Sequence, residues 1–380
     1  MNNSAVIPVE GDTKMKTLLL VIGARPQFVK VAMLASALKH SFRVVTVHTG
    51  QHYDADMSDS FLKTFELSVD HNLGINQCSN DEMLGRMLPA ISEVIRSVEP
   101  DGVVVFGDTT STLAAALSAR YLKVPLVHYE AGLRSFDLHM PEEVNRVCAD
   151  QISDVLLCAS PWARDRLIDE KVSGKVHFVG DIMLDTLIAF SDGKAPFETH
   201  GVKQGEFTLV TIHRPSNTDN PENLLAILGA LKEAEDELFL FPVHPRTKAA
   251  LERYGAMDEF SSAPNINMTG PLPYADFILL LKGAKRVVTD SGGIQKEAHF
   301  LRVPCVTCRT STEWKETLEN EWNVLTGPDH QAILTALKRP TPDPSTHSFP
   351  YGSGDTTRLV VDILERTFQG PANLTGEGSK

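Results

Sequence analysis

The chain has 380 residues, 42% of them apolar and 22% charged, which is enough for two domains of ordinary size and has the profile of a water-soluble globular protein. Lys and Arg number 36 against 49 Asp and Glu, a net charge of −13, which argues against general affinity for nucleic acid or anionic membranes but leaves room for a local anion site. No apolar run approaches the ~18 residues of a membrane span.

Residues 1–14, MNNSAVIPVEGDTK, lack the basic and apolar regions of a signal peptide and read as a disordered lead-in, with Met15 a candidate natural start. A cytoplasmic protein is expected. Short apolar runs then alternate with segments of helical period. TLLLVIG (17–23), FRVVTVHTG (42–50), GVVVFGD (102–108), PLVHYEAG (125–132), DVLLCAS (154–160) and KVHFVGD (175–181) read as strands. FVKVAMLASAL, EMLGRMLPAISEVIRSV and STLAAALSARYL read as helices between them. Continuous apolar strands alternating with helices predict a parallel sheet covered on both faces.

Residues 192–206 are polar, with glycines and a proline, and suit a linker. A second series follows: FTLVTIH (207–213), LFLFPVH (238–244), RVVTDSG (286–292), PCVTCR (304–309) and EWNVLTG (321–327). The expected fold class is therefore α/β, with two doubly wound Rossmann-like domains facing a cleft. The expected boundaries are 15–190, 191–355, a C-terminal helix 356–370 packing back on the first domain, and a disordered tail 371–380. Five scattered cysteines fit reduced thiols, and the lone CxxC of Cys305 and Cys308 is weak grounds for a metal or redox site.

Ligands bind at the carboxyl ends of strands in such sheets, and ionisable groups collect there. The first series supplies Arg25, Lys30, Asp108 and Glu130, then Glu142 and Arg146 four apart on one helix. The second supplies His213, Arg214, His244, Arg246, Asp290, Ser291, Arg309 and Glu313. Each has a bland alternative: Asp108 as a helix cap, Glu142 and Arg146 as a surface pair, Lys30 on a solvated face. The stretch VVTDSGGIQKEAHF (287–300) suits a phosphate site. Gly292 and Gly293 permit close backbone approach, the helix offers free N–H groups, and Ser291 adds a hydroxyl. Glu297, one turn on, can point toward a sugar hydroxyl. No P-loop and no GxGxxG after the first strand supports ATP or NAD.

Taken together, the motifs IGARPQFVK, TGQHYDADMSDSF, GDTTSTLAAALSA, HYEAGLRS, PEEVNR, VGDIMLDTL, TIHRPSN, PVHPR, TDSGGIQKEA and RTSTEW resemble the non-hydrolysing UDP-N-acetylglucosamine 2-epimerases. They do so in the family's order over nearly the whole chain from Met15. The resemblance implies a GT-B-like fold and inversion of C2 in a UDP-linked 2-acetamido sugar, by anti elimination of UDP and its re-addition, with no redox cofactor or metal. It implies that Asp108, Glu130 and Glu142 handle the proton and position the sugar, and that His213 supports UDP departure. Arg25, Lys30, Arg146 and Arg309 become cationic partners, with His244 in the UDP-binding set. Ser291, Gly292 and Gly293 hold phosphate, Glu297 the ribose, and Phe277 packs on uracil.

RPQFVK, the HYD segment and TEW resemble the subgroup acting on UDP-2,3-diacetamido-2,3-dideoxyglucuronate. Thr310 departs from the family's usual Asp, and Tyr53 replaces a basic residue where some members bind an allosteric UDP-GlcNAc. The expected protein is a homodimer making precursors of surface polysaccharide. Rival readings are the diacetamido-uronate epimerase, a hydrolysing epimerase, a glycosyltransferase of the same architecture, and a catalytically dead sensor.

Overall fold

The computed structural model describes residues 15–51, 68–191 and 193–369, with the backbone alone for Arg25, Pro26 and Val29. The lead-in, the HYD segment with Tyr53, and the tail lie outside these residues. Contacts divide the chain into two units, 1–179 with 355–380, and 180–354.

The first unit holds seven strands: β1 (Thr17–Ile22), β2 (Arg43–His48), β3 (His71–Asn72), β4 (Gly102–Phe106), β5 (Leu126–Tyr129), β6 (Val155–Cys158) and β7 (Lys175–Phe178). They form one parallel sheet in the order β3-β2-β1-β4-β5-β6-β7. Chain order reverses between β1 and β4, the switch point where doubly wound sheets open a crevice. TLLLVI and GVVVF are buried along their whole length, as expected of central strands covered on both faces.

The helix Asn80–Val98 places Met83, Met87, Ile91, Val94 and Ile95 on one buried stripe, each apolar side chain worth roughly 1.5–3 kcal/mol on burial. The helix Thr110–Tyr121 is buried on nearly every face, which its small TSTLAAALSARY sequence allows. The C-terminal helix Thr356–Phe368 packs against the helix Arg25–Leu38. Phe368 meets Phe42 edge-on at 6.4 Å, and Gln369 donates to the Ser41 carbonyl at 2.8 Å.

The second unit holds β8 (Phe207–Thr211), β9 (Leu238–Pro242), β10 (Ile266–Thr269), β11 (Arg286–Thr289), β12 (Cys305–Thr307) and β13 (Asn323–Leu325). Their parallel order is β10-β9-β8-β11-β12-β13, with its switch point between β8 and β11. The unit begins before the helix Ile182–Phe190 rather than after it. Asp181 caps that helix and pairs with Lys296, and Phe190 meets Tyr274 edge-on at 5.8 Å. The expected linker also folds in: Phe197 packs beneath Gly283 and Val202 is buried.

Two strands escape the sequence reading, β3 and β10. Both are edge strands and only partly buried, so neither shows the continuous apolar run by which the others are read. Cys305 and Cys308 are buried around β12, and burial pushes the Cys305 thiol up to about 12. Among the described residues no helix is long and apolar enough to cross a membrane, and no cluster of His, Cys, Asp or Glu is placed to hold a metal ion.

Candidate active site

In the first unit the chemistry gathers around the β1/β4 switch point. Asp108 follows β4 and a left-handed Gly107 (φ 61°). It does not cap the next helix; Thr109 does, its hydroxyl accepting from the Thr112 amide at 3.3 Å. Freed from capping, the Asp108 carboxylate pairs with Arg146. Burial raises the Asp108 carboxyl above its ordinary value; Arg146 pulls it down and the nearby Glu130 charge pushes it up.

Glu130 follows β5 in a left-handed conformation (φ 67°), which costs a non-glycine residue roughly 1–2 kcal/mol. The Leu157 carbonyl holds the turn by accepting the amides of Glu130 and Ala131 at 3.0 and 3.1 Å. The turn delivers the Glu130 carboxylate to Lys30, and both side chains are nine-tenths buried. Lys30 is therefore not on a solvated face. Gln27 anchors the same helix start: its Oε1 accepts the Gly23 and Ala24 amides at 2.7 and 3.0 Å, and its Nε2 donates to the Phe106 carbonyl at 2.6 Å. Arg25 opens that helix; its side chain lies outside the described residues.

Arg146 corrects the expected pairing on its own helix. Its second partner is Glu143, at 3.2 Å, not Glu142. Glu143 is buried, accepting the Ser135 and Phe136 amides at 2.8 and 2.9 Å, whereas Glu142 is exposed in the first turn. Three residues separate Glu143 from Arg146 along the helix, which also makes them neighbours.

In the second unit the carboxyl ends of β8 and β11 carry the site. Asp290 is fully buried and brackets the β8 turn. It accepts the His213 amide at 3.0 Å, the Arg214 amide at 2.9 Å and the Asn217 side-chain amide at 3.0 Å. The His213 Nδ1 lies 3.6 Å from the same carboxylate, and its ring sits 5.3 Å from that of His244. His244 starts the helix Pro245–Arg253, its Nδ1 accepting the Arg246 amide at 3.1 Å. Arg246 points to Thr218 and Asp219.

The helix Gly292–Phe300 starts immediately after Ser291, whose hydroxyl does not cap it. A Cβ on Gly293 would meet only the Ser291 hydroxyl, at 3.9 Å, so the N-terminus stays open there. Over Gly292 sits the Glu313 carboxylate: a Cβ added to Gly292 would lie 2.5 Å from Glu313 Oε1 and 3.5 Å from Arg214 Nη2. Arg309 bonds Glu313 at 2.9 Å. Burial alone would raise Glu313, but Arg309 and Arg214 bring it below its ordinary value. Glu297 is buried and accepts the Tyr274 hydroxyl at 3.0 Å; burial pushes its carboxyl up to about 7. Phe277 is half-buried against the core beside β8 and β11.

The structure thus brings together Lys30 with Glu130, Asp108 with Arg146, and His213 with Ser291–Gly292 through Asp290. Sequence reading missed Gln27, Glu143 and Asn217 as supports. Gln27 lies in the quoted RPQFVK motif, and Glu143 is the second acid of PEE.

The fold defines a class: an α/β protein of two doubly wound, GT-B-like sheets, with ionisable residues gathered at the carboxyl ends of the strands. The chain belongs to the UDP-N-acetylglucosamine 2-epimerase family, whose model matches residues 36–365. It is 39% identical over 354 residues to a UDP-N-acetylglucosamine 2-epimerase homolog of Methanococcus maripaludis, covering 91% of this chain and 99% of the relative. It is also 39% identical, over 361 residues, to the UDP-2,3-diacetamido-2,3-dideoxy-D-glucuronate 2-epimerase of Pseudomonas aeruginosa, covering 92% and 99%. Among solved structures, the Methanocaldococcus jannaschii UDP-GlcNAc 2-epimerase in complex with UDP-GlcNAc and UDP superposes with a TM-score of 0.81 at 34% identity, covering 92% of this chain and 99% of that one.

Proposed function

We propose that the protein inverts C2 of a UDP-linked 2-acetamido sugar. The C2 proton is removed and the C1–O bond to UDP breaks on the opposite face, leaving a 2-acetamidoglucal. UDP then re-forms the C1–O bond as a proton returns to the other face of C2. Atoms and oxidation state balance, so no external oxidant or reductant enters. The observation that carries this reading is the pair of carboxylates at one switch point, each with its own cation: Asp108 with Arg146 and Glu130 with Lys30.

Asp108, raised by burial, is suited to hold a proton and exchange it with C2. Glu130 is the second carboxyl, and Glu142 lies exposed for the sugar. Departing UDP gathers charge on its diphosphate, which His213, Arg309 and the helix N-terminus at Gly292 and Gly293 can meet; the Ser291 amide is already bound to the Thr289 hydroxyl at 3.0 Å. Glu297 takes the ribose, Phe277 the uracil, and Arg25 and His244 complete the binding set.

A diacetamido-uronate substrate is the second reading, supported by equal identity to the Pseudomonas aeruginosa enzyme and by the RPQFVK and TEW motifs. The role proposed is supply of surface-polysaccharide precursors by a cytoplasmic homodimer. The test is incubation with each UDP-sugar in D2O, followed by NMR. Deuterium at C2 with gluco and manno UDP-sugars is expected from one of them. Free UDP with free sugar would mean hydrolysis, and no exchange with either would refute the reading.

A further inference from the structure

His128 lies in β5, fully buried, two residues before Glu130. Its Nδ1 is 2.7 Å from Asp150 Oδ1 and its Nε2 is 2.7 Å from the Gly107 carbonyl oxygen. Both partners accept hydrogen bonds. A neutral imidazole has one donor and one acceptor nitrogen, so it would press a lone pair against one of these oxygens. A protonated Asp150 would relieve the conflict, but its other oxygen receives Arg134 Nη1 at 2.7 Å and the Gly132 amide at 3.2 Å. Those donors, one of them a guanidinium, favour the carboxylate.

We propose that His128 is a standing imidazolium, anchored through Nδ1–H on Asp150, whose Nε2–H positions the Gly107–Asp108 turn for proton transfer at C2. The role of Asp108 in that statement rests on the function proposed above; the charge of the ring does not. Gly107 is gripped twice by neighbouring β5 residues. Its amide donates to the Tyr129 carbonyl at 2.9 Å, and its carbonyl accepts from His128. The left-handed conformation of Gly107 itself directs the chain so that Asp108 meets Arg146.

The groups facing the ring bear the charge out. From the helix Pro141–Ile152 comes Asp150, and from the turn after β4 comes Asp108. From the loop after β5, Arg134 joins Asp150 to Glu170, which it bonds at 3.0 and 2.6 Å. With an imidazolium at His128, two cations meet the Asp150 and Glu170 carboxylates in one network, buried except at Glu170, the arrangement that makes buried charge tolerable. Burial alone would favour the neutral ring, but Asp150, helped by the Gly107 carbonyl and Asp108, outweighs it and raises His128 above its ordinary value.

The test is nitrogen-15 NMR of the full-length protein with labelled histidine, the His128 signals being assigned by their loss in His128→Gln. Both ring nitrogens should show protonated shifts that stay constant from pH 6 to 9. A neutral-ring signature at pH 7 overturns the proposal. Asp150→Asn removes the carboxylate that offsets burial and should leave the ring neutral at pH 7; a ring still doubly protonated there overturns the proposal too. His128→Gln should lower kcat for C2 exchange about 100-fold with the Kd for UDP unchanged within twofold. An unchanged kcat overturns the positioning role. Should His128→Gln fail to fold, the wild-type and Asp150→Asn spectra still decide the ring's charge. Wild-type protein that exchanges no UDP-sugar would defeat the proposed reaction, while the ring spectrum would separately judge the imidazolium.

Discussion

Replacing Glu297 with Gln should make the protein more stable and worse at holding UDP. Burial moves the Glu297 carboxyl from 4.5 to about 7, so the folded chain keeps a proton there that the unfolded chain releases. Between those values the native state binds more protons, and stability falls as pH rises. The stabilising contribution is whole below pH 4.5 and is lost as pH climbs through 7. At about 1.4 kcal/mol per pH unit, an ionised Glu297 at pH 8 costs ~3 kcal/mol. Gln keeps the acceptor for the Tyr274 hydroxyl and does not ionise. With about 3 °C per kcal/mol for a domain the size of the second unit, Glu297→Gln should raise its Tm by roughly 9 °C at pH 8. The gain should shrink to roughly 2–3 °C at pH 5. Calorimetry at the two pH values reads both numbers; equal shifts at pH 5 and 8 would refute the argument. At pH 8, where Glu297 is ionised, the same variant should weaken UDP about tenfold by titration calorimetry, since a hydrogen bond to a charged acceptor is worth roughly 1.5–3 kcal/mol. A buried acid that lowers stability while gripping ligand is the trade expected at a functional site.

Asp108→Asn and Glu130→Gln should each keep UDP binding within twofold and lose C2 deuterium exchange by at least about 100-fold; wild-type exchange in either would remove that carboxyl from the reaction. Glu313→Gln removes from the helix N-terminus at Gly292 a negative charge that would repel a diphosphate, and calorimetry should show UDP binding several-fold tighter, whereas weaker binding would mean that Glu313 serves chiefly to aim Arg309. Gly132→Ala would force a side chain into the left-handed region (φ 86°) against the Ala163 carbonyl, so a loss of about 3 kcal/mol is expected in thermal unfolding, and a neutral result would show that the β5 loop can shift.

The central strands were legible because each must be apolar on both faces. TLLLVI, GVVVF and FTLVT admit no polar alternation, and any parallel arrangement of them has to place its loops at the strand ends. The edges obey a weaker constraint. β3 is two residues, His71 and Asn72, and β10 is INMT; each has one neighbour and one open side, so composition carries little of the signal. The position of the helix Ile182–Phe190 was equally hidden, because its attachments to the second unit join residues far apart in the chain: Asp181 pairs with Lys296, 115 residues on, and Phe190 meets Tyr274.

The site shows the same division between place and partner. That Asp108, Glu130, His213 and Ser291 lie at strand ends follows from the periodicity that defines the strands. What each side chain touches does not, because hydrogen bonding joins residues the chain keeps far apart. Asp290 is the sharpest case. It stands beside Ser291 and the two glycines, where an acid seems to oppose an anion cradle. Its carboxylate instead turns inward to take the amides of His213 and Arg214, 77 and 76 residues earlier. A fully buried carboxylate bonded to three N–H groups is a satisfied anion. Its charge is spent on holding the β8 turn against β11 rather than on repelling a ligand. Under the proposed function the phosphate falls to the helix N-terminus at Gly293, which no side chain among the described residues covers, and the acid that seemed to contradict the cradle is what holds the His213 amide beside it.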